Sequence, residues 1–127
     1  MNERAKDTRT IADVLHDFYA AISGPKGAPR EWEKSEADLW PTCRFNVAER
    51  NDDGTFFVRS LTPEEFRIEA DGPLVANGFF EIEAAREEHV TGDVASVLSA
   101  YQARFTPDGD VIYTGTNHLH LIRDQGR

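Results

Sequence analysis

Two long segments with the residue pattern of β-strands lie in the last third of the chain. Residues 94–105 alternate small and large side chains without a helical repeat, and residues 111–122 are rich in β-branched and aromatic types. Between them, Thr106, Pro107, Asp108 and Gly109 form a sequence typical of a turn. Two long strands joined by so short a connection pair antiparallel. This part of the chain therefore predicts an antiparallel sheet.

A third strand is predicted over residues 79–90, although this segment also has good helix propensity. Phe80, Ile82 and Ala84 alternate with Glu81 and Glu83, which favours a strand. Tertiary context often overrides propensity in such segments. The acidic residues of this segment are expected on a solvated face, namely Glu81, Glu83, Glu87 and Glu88.

The first part of the chain predicts two helices and a hairpin. Residues 10–23 place apolar side chains on one helical stripe, and a loop rich in glycine and proline follows them from Gly24. Residues 31–40 predict a shorter helix that ends before Pro41. Residues 43–47 and 55–60 read as strands that flank a turn closing at Gly54.

A third helix has the clearest start signal in the chain. Thr62 suits the N-cap, Pro63 suits the first helical position, and Glu65 completes a capping box. We expect residues 71–73, which include Pro73, to kink or break this helix, and Gly78 to end it.

Composition limits the classes of function. The chain has 127 residues and a formal net charge of −9, which fits one domain and argues against binding nucleic acid or an anionic membrane. The single cysteine, Cys43, excludes an internal disulfide and a multi-cysteine zinc site. The charged N-terminus lacks a signal-peptide core, and we expect a cytoplasmic protein.

Four segments together resemble the nuclear-transport-factor-2-like superfamily, which includes SnoaL-like polyketide cyclases and ketosteroid isomerases. They are residues 18–22 (FYAAI), 32–40 (WEKSEADLW), 78–81 (GFFE) and 116–123 (TNHLHLIR). The resemblance implies a single α+β domain over residues 1–127. In it, three helices pack on a strongly curved, mostly antiparallel sheet that encloses a cone-shaped pocket. In the family a segment like residues 123–127 leads to one more strand, so either the sequence is truncated or a partner covers the gap.

Asn117 is the first candidate ligand contact. Alternation places it on the apolar face of its strand with Leu119 and Leu121. It matches the position at which ketosteroid isomerases carry an acidic oxyanion-hole residue. Asn117 either faces a ligand in the pocket or is a buried asparagine that bridges strands.

Tyr19, His16 and Trp40 are the other candidate ligand contacts. Tyr19 and His16 lie three residues apart on the first helix and can share a side. Ketosteroid isomerases use a tyrosine on this helix to polarise a carbonyl, but the closest registration puts Phe18 at that position. Tyr19 and His16 either contact the ligand or flank the core stripe, and Trp40 either packs in the core or lines the pocket mouth.

The general base and the metal site are less well supported by the sequence. Where the isomerases carry a basic aspartate, this chain offers Val47, Ala48 and Glu49, which argues against isomerisation of steroids by that mechanism. His118 and His120 form a His-x-His pattern, which we expect on the outer sheet face and not at a metal. No phosphate-binding loop or other cofactor motif is present, so we predict neither a cofactor nor a metal.

The resemblance implies a protein that binds a small hydrophobic, carbonyl-bearing molecule, with homodimerisation through the outer sheet face. If it is an enzyme, it is expected to be an isomerase, cyclase or dehydratase that uses acid–base chemistry. Two alternatives remain, a non-catalytic protein-interaction module and an auxiliary, structural subunit of a larger enzyme. Fold analogy does not distinguish them, because this fold hosts unrelated functions.

Overall fold

The chain has the α+β architecture predicted from the sequence. A computed structural model describes residues 9–123. The elements in this range are α1 (Ile11–Ile22), α2 (Trp32–Ala37), β1 (Phe45–Arg50), β2 (Phe56–Leu61), α3 (Pro63–Asn77), β3 (Phe80–Thr91), β4 (Val94–Arg104) and β5 (Val111–Ile122). The predicted strand over residues 79–90 is confirmed as β3, whereas α2 is shorter than the helix expected over residues 31–40.

The described strands form two antiparallel sheets instead of the single curved sheet that we expected. β1 pairs with β2 from Phe45↔Leu61 to Arg50↔Phe56, and β3, β4 and β5 form a three-stranded sheet in that order. Within residues 9–123, β1 pairs with no strand other than β2, and β5 with no strand other than β4. The two sheets therefore remain separate, and neither is strongly curled.

The starts of the two long helices follow from their capping residues. Thr62 accepts a hydrogen bond from the Glu65 amide at 3.1 Å, and Glu65 accepts one from the Thr62 amide at 2.9 Å. This confirms the predicted capping box. Thr10 and Asp13 form a second capping box at the start of α1.

Helix α3 is not broken at residues 71–73, contrary to the break that we considered. The helix continues through Pro73 and ends at Gly78, whose positive φ of 72° suits glycine. Pro73 cannot donate a helical hydrogen bond to the carbonyl of Glu69. Glu69 is exposed, so water can solvate that carbonyl and the helix tolerates the missing bond.

The core lies between α1 and one face of the three-stranded sheet, which we call the inner face. Leu15 of α1 packs against Ala95 and Val97 of β4, and all three are buried. Ile11, Leu119 and Leu121 surround this cluster. The apolar face of β5 that the sequence predicted is therefore the inner face.

A second layer contains the β1–β2 hairpin together with α2 and α3. The Phe66 ring of α3 lies between the rings of Phe45 and Trp32, at centroid distances of 4.8 and 6.1 Å. Trp32 also donates a hydrogen bond from Nε1 to Asp71 Oδ1 at 2.6 Å. These contacts pack both α2 and the hairpin against α3.

Arg30 joins the two layers through backbone carbonyl groups. Its guanidinium donates hydrogen bonds, 2.7 to 3.4 Å long, to the carbonyl oxygens of Ile22, Gly24, Pro25, Ala28 and Leu74. The side chain is buried, with 7% of the residue exposed, and burial lowers its pKa. One side chain thus connects the end of α1, the following loop and α3.

Within the described residues, the helices are too short or too polar to cross a membrane.

We predict that Arg30→Ala destabilises the fold by about 3 kcal/mol or more, because it removes a buried guanidinium that donates five hydrogen bonds to part-buried carbonyl groups. Arg123→Ala is the matched control, since the ion pair of Arg123 with Asp93 is exposed and is worth less than about 1 kcal/mol. The measurement is urea unfolding of both variants. Equal stability of the two variants would show that Arg30 does not hold the layers together.

Candidate functional site

Strand register places polar and aromatic side chains in adjacent rows on the inner face. Residues paired across antiparallel strands project from the same face of the sheet. A bulge between Glu83 and Ala85 shifts the register of β3 by one residue. Beginning at the start of β3, the rows are Glu81–Ala103–Tyr113, Glu83–Tyr101–Gly115 and Arg86–Ser99–Asn117.

A chain of hydrogen bonds crosses the third row under α1. Asn117 Nδ2 donates to the Tyr19 hydroxyl at 3.1 Å, and the hydroxyls of Tyr19 and Ser99 lie 2.7 Å apart. Ser99 in turn donates to Glu83 Oε2. The chain therefore ties α1 to all three strands of the sheet.

Charged groups of β3 surround the end of this chain. Arg86 Nη1 lies 3.5 Å from Glu83 Oε1, and Arg86 Nε lies 3.0 Å from Glu88 Oε2. Burial raises the pKa of Tyr19, while its hydrogen bonds to Ser99 and Asn117 act in the opposite direction. Tyr19 therefore keeps its proton at neutral pH.

Glu81 is the most unusual residue of the site, and its expected position on a solvated face is wrong. Only 8% of the residue is exposed, and its carboxyl group has no hydrogen-bond or ion-pair partner within residues 9–123. The Glu81 amide donates to Ser23 Oγ at 3.0 Å, and Phe79 and Gly24 exchange two backbone bonds of 2.7 and 3.0 Å. These bonds hold the start of β3 against the end of α1.

Burial raises the pKa of the Glu81 carboxyl to about 7. An unpaired carboxylate is poorly solvated in an interior, so the protonated form is favoured. At neutral pH this group therefore exists in both protonation states, which is the property required of a general acid or base.

Three aromatic rings lie next to Glu81 and leave the site open on one side. The ring of Tyr113 lies 6.2 Å from that of Tyr101 and 6.1 Å from that of Phe79. Burial first, and then the charge of Glu81, raise the pKa values of both tyrosines. Because 47% of Tyr113 is exposed, a ligand can approach the site from this side.

Gly115 makes room for the phenol group of Tyr101. A Cβ atom at position 115 would overlap the Tyr101 hydroxyl, so no larger residue fits without moving this ring. The hydroxyls of Tyr101 and Tyr113 have no hydrogen-bond partner in the described part of the chain. They are therefore free to bind a ligand.

The structure brings together two of the four predicted ligand contacts. Tyr19 and Asn117 meet on the inner face, and Tyr19 is buried rather than lying at a pocket edge. His16 instead projects into solvent beside Asp17, with Nδ1 3.6 Å from Oδ1. Trp40 is 51% exposed and lies in a separate surface depression with Leu39.

Two further predictions concern the strand faces. His118 and His120 are exposed on the face of β5 opposite Asn117, as the alternation predicted. Glu49 is exposed on β1, where its Oε1 lies 3.3 Å from Arg59 Nη2. The described residues contain no group of three or more histidine, cysteine or carboxylate side chains arranged to hold a metal ion.

Sequence reasoning missed Ser99, Glu81, Tyr101 and Tyr113 as site residues. The alternation of side chains along β4 indicated part of the site, because it places Ser99 and Tyr101 on the same face as Ala95 and Val97. Nothing in the sequence indicated the burial of Glu81, since this burial depends on contacts with the end of α1.

The enclosed pocket that we expected is not confirmed. Two open surface depressions, of about 520 and 350 Å³, lie away from Tyr19 and Asn117. The first is lined by Arg30, Glu31, Trp32, Glu33, Lys34 and Arg67, and the second by Glu36, Leu39, Trp40, Pro41, Thr62, Pro63 and Glu64.

No protein-family model matches this chain, and neither a curated protein nor a solved structure is significantly similar to it.

We predict that Glu81→Gln stabilises the protein at pH 8 by on the order of 3 kcal/mol and has little effect near pH 4.5. In the wild type the unfolded carboxyl ionises near pH 4.5 and the folded one near pH 7. Between these values the folded state binds more protons, so the stability of the wild type falls as pH rises. Glutamine cannot ionise, so at this position the variant does not lose stability as the pH rises.

The measurement is urea unfolding at pH 4.5 and pH 8. Glu33→Gln is the control, because Glu33 is exposed and has no partner within residues 9–123. If the two variants show the same pH dependence relative to the wild type, then Glu81 is not buried in solution.

Proposed function

We propose that the inner face binds a small hydrophobic molecule through its carbonyl oxygen. The observation that carries this proposal is the buried, unpaired carboxyl of Glu81 next to the free hydroxyls of Tyr101 and Tyr113. Aromatic rings with a few convergent polar groups are typical of sites for small molecules. The ligand enters over the exposed ring of Tyr113 and covers the open side of the site.

The carbonyl oxygen accepts a hydrogen bond from Glu81 in its protonated form. A pKa of about 7 keeps a large fraction of this carboxyl protonated at neutral pH. A carboxyl kept neutral by an apolar site can donate to a carbonyl or enolate oxygen, as in ketosteroid isomerase. The Tyr101 hydroxyl, positioned over Gly115, provides a second donor.

The resemblance to ketosteroid isomerases supports the same chemistry with different residues. In those enzymes a tyrosine on the first helix and an acidic residue polarise the carbonyl. Here the acidic residue is Glu81 at the start of β3, and Tyr19 is hydrogen-bonded to Ser99 and Asn117. If the ligand is also transformed, the reaction is acid–base chemistry in which Glu81 exchanges a proton with it.

Binding of acetophenone, a simple aryl ketone, is predicted to weaken about tenfold between pH 6 and pH 8. If only protonated Glu81 binds the ketone, the apparent affinity follows the protonated fraction, which falls about tenfold over this range. The measurement is a chemical-shift titration of the full chain at both pH values.

Glu81→Gln is the diagnostic variant for this prediction, because its amide donates at every pH and makes the affinity independent of pH. Gly115→Ala is expected to weaken binding at both pH values, because it displaces the Tyr101 hydroxyl. Equal affinity of the wild type at pH 6 and pH 8 would contradict the proposed role of Glu81.

We also propose that the protein forms a homodimer through the outer face of the three-stranded sheet, opposite α1. Ile82, Val94 and Ile122 are exposed on this face, and Leu98 lies near its centre between Glu87 and His118. Burying these side chains against a second copy would remove apolar surface from water.

Sedimentation velocity is expected to show a dimer for the wild type and a monomer for Leu98→Glu, because position 98 would lose contact with water in the dimer and an unpaired charge buried there is costly. Val58→Glu, on the exposed face of β2, is the control and is expected to remain dimeric. Asn117→Ala should also remain dimeric. A wild type that sediments as a monomer at all concentrations would exclude this assembly.

A further inference from the structure

We infer that the Tyr19–Asn117 end of the site binds a hydroxyl group of the ligand and acts there as a hydrogen-bond acceptor. This inference rests on the proposed function and narrows the ligand to a hydroxy-carbonyl compound. Its carbonyl binds near Glu81 and Tyr101, and its hydroxyl binds near Tyr19 and Asn117. The direction of the hydrogen bonds in the third row leads to this conclusion.

The donor and acceptor of each hydrogen bond in the third row follow from counting protons. A hydroxyl has one proton, and a carboxylate can only accept. Ser99 donates its proton to Glu83, so the 2.7 Å bond between Ser99 and Tyr19 must use the proton of Tyr19. The Tyr19 oxygen is therefore an acceptor for the bond from Asn117.

The same count sets the orientation of the Asn117 amide. If its Oδ1 faced Tyr19, two acceptors would meet, because the Tyr19 proton already points to Ser99. Nδ2 therefore faces Tyr19, in agreement with the 3.1 Å bond. Asn117 Oδ1 then has no donor within the described residues.

The charges of Glu83 and Arg86 on β3 maintain this direction of the hydrogen bonds. Reversing it would require Glu83 to donate a proton to Ser99, and Arg86 lies 3.5 Å from the other carboxylate oxygen. The ion pair with Arg86 is made by the carboxylate form of Glu83, which has no proton to donate. A hydroxyl that donates to a carboxylate also forms a charge-assisted bond, which is stronger than a neutral one.

A ligand atom at this end consequently meets one unsatisfied acceptor, Asn117 Oδ1. Only 3% of Tyr19 is exposed, so its oxygen orients the Asn117 amide and does not contact the ligand. A carbonyl or ether oxygen would face Oδ1 with no proton between them, whereas a hydroxyl supplies one. Since Asn117 is half-buried, the ligand hydroxyl can reach it from the open side of the site.

The spacing of the rows sets the distance between the two polar groups of the ligand. Tyr101, the carbonyl donor in the nearer row, and Ser99 are two residues apart on β4, which corresponds to about 7 Å along an extended strand. Glu81 stands one row further from Ser99, and its charge acts on Tyr101 from that row. A single ring with oxygens at opposite ends spans a distance of this order. 4′-Hydroxyacetophenone has this arrangement, and 4′-methoxyacetophenone differs from it only by lacking the hydroxyl proton.

The test is the ratio of the dissociation constants of these two probes, measured on the full chain by chemical-shift titration at pH 6. We expect the wild type to bind the hydroxyl probe about five- to tenfold more tightly, as one additional hydrogen bond implies. In Ser99→Ala the Tyr19 proton is released and can point to Asn117 Oδ1, so Nδ2 of the amide can turn toward the ligand and this preference should fall to about one. A ratio within one variant is insensitive to a general loss of stability.

Ser96→Ala is the matched control, because Ser96 lies on the same strand but on the outer face. It should keep the wild-type ratio. Should Ser99→Ala fail to fold, Tyr19→Phe serves in its place, because it removes the hydroxyl that orients the Asn117 amide and should also lower the ratio toward one.

The outcomes separate this inference from the proposed function. If the wild type binds both probes equally, the inference is wrong, but the proposal that the inner face binds a carbonyl group is still supported. If Ser99→Ala retains the full preference, the proton count does not control selectivity and the inference is equally wrong. If neither probe binds at millimolar concentration, the proposed carbonyl site is wrong, and the inference that rests on it is overturned as well.

Discussion

The buried guanidinium of Arg30 is the interaction on which the arrangement of the two layers depends. It binds five backbone carbonyls, from Ile22 at the end of α1 to Leu74 in α3. These carbonyls are partly removed from water, and the guanidinium supplies donors that replace the lost hydrogen bonds. The same loop contains Gly24, which pairs with Phe79. Arg30 therefore also determines where β3 begins.

The site depends on this construction. Because the start of β3 is held against the end of α1, Glu81 is buried without a partner and its pKa rises to about 7. In the third row, Tyr19 reaches Ser99 and Asn117 from the helix. One end of the inner face thus offers donors and the other offers an acceptor. This difference in hydrogen-bond polarity is the property by which a ligand with two different oxygens would be oriented.

Local signals predicted most of the elements correctly, and their failures have identifiable physical causes. The capping box at Thr62 and the end of α3 at Gly78 depend only on neighbouring residues, and both are confirmed. Pro73 was expected to kink or break its helix, but an exposed turn tolerates one missing hydrogen bond. The strand character of β3 was predicted from alternation, whereas the burial of Glu81 was missed. Alternation shows which side chains share a face of a strand, but it does not show whether a helix packs on that face.

The sequence by itself determined the α+β class, the strands of the C-terminal half and the common face of Asn117, Leu119 and Leu121, because strand periodicity follows from local backbone geometry. Tertiary structure alone decided that Tyr19 meets Asn117 while His16 and Trp40 lie elsewhere. It also decided that Glu81 is buried and that the strands form two sheets. These outcomes depend on contacts between residues far apart in the chain, such as the 98 positions that separate Tyr19 from Asn117. No local pattern specifies such contacts, since they arise only when α1 packs on the sheet.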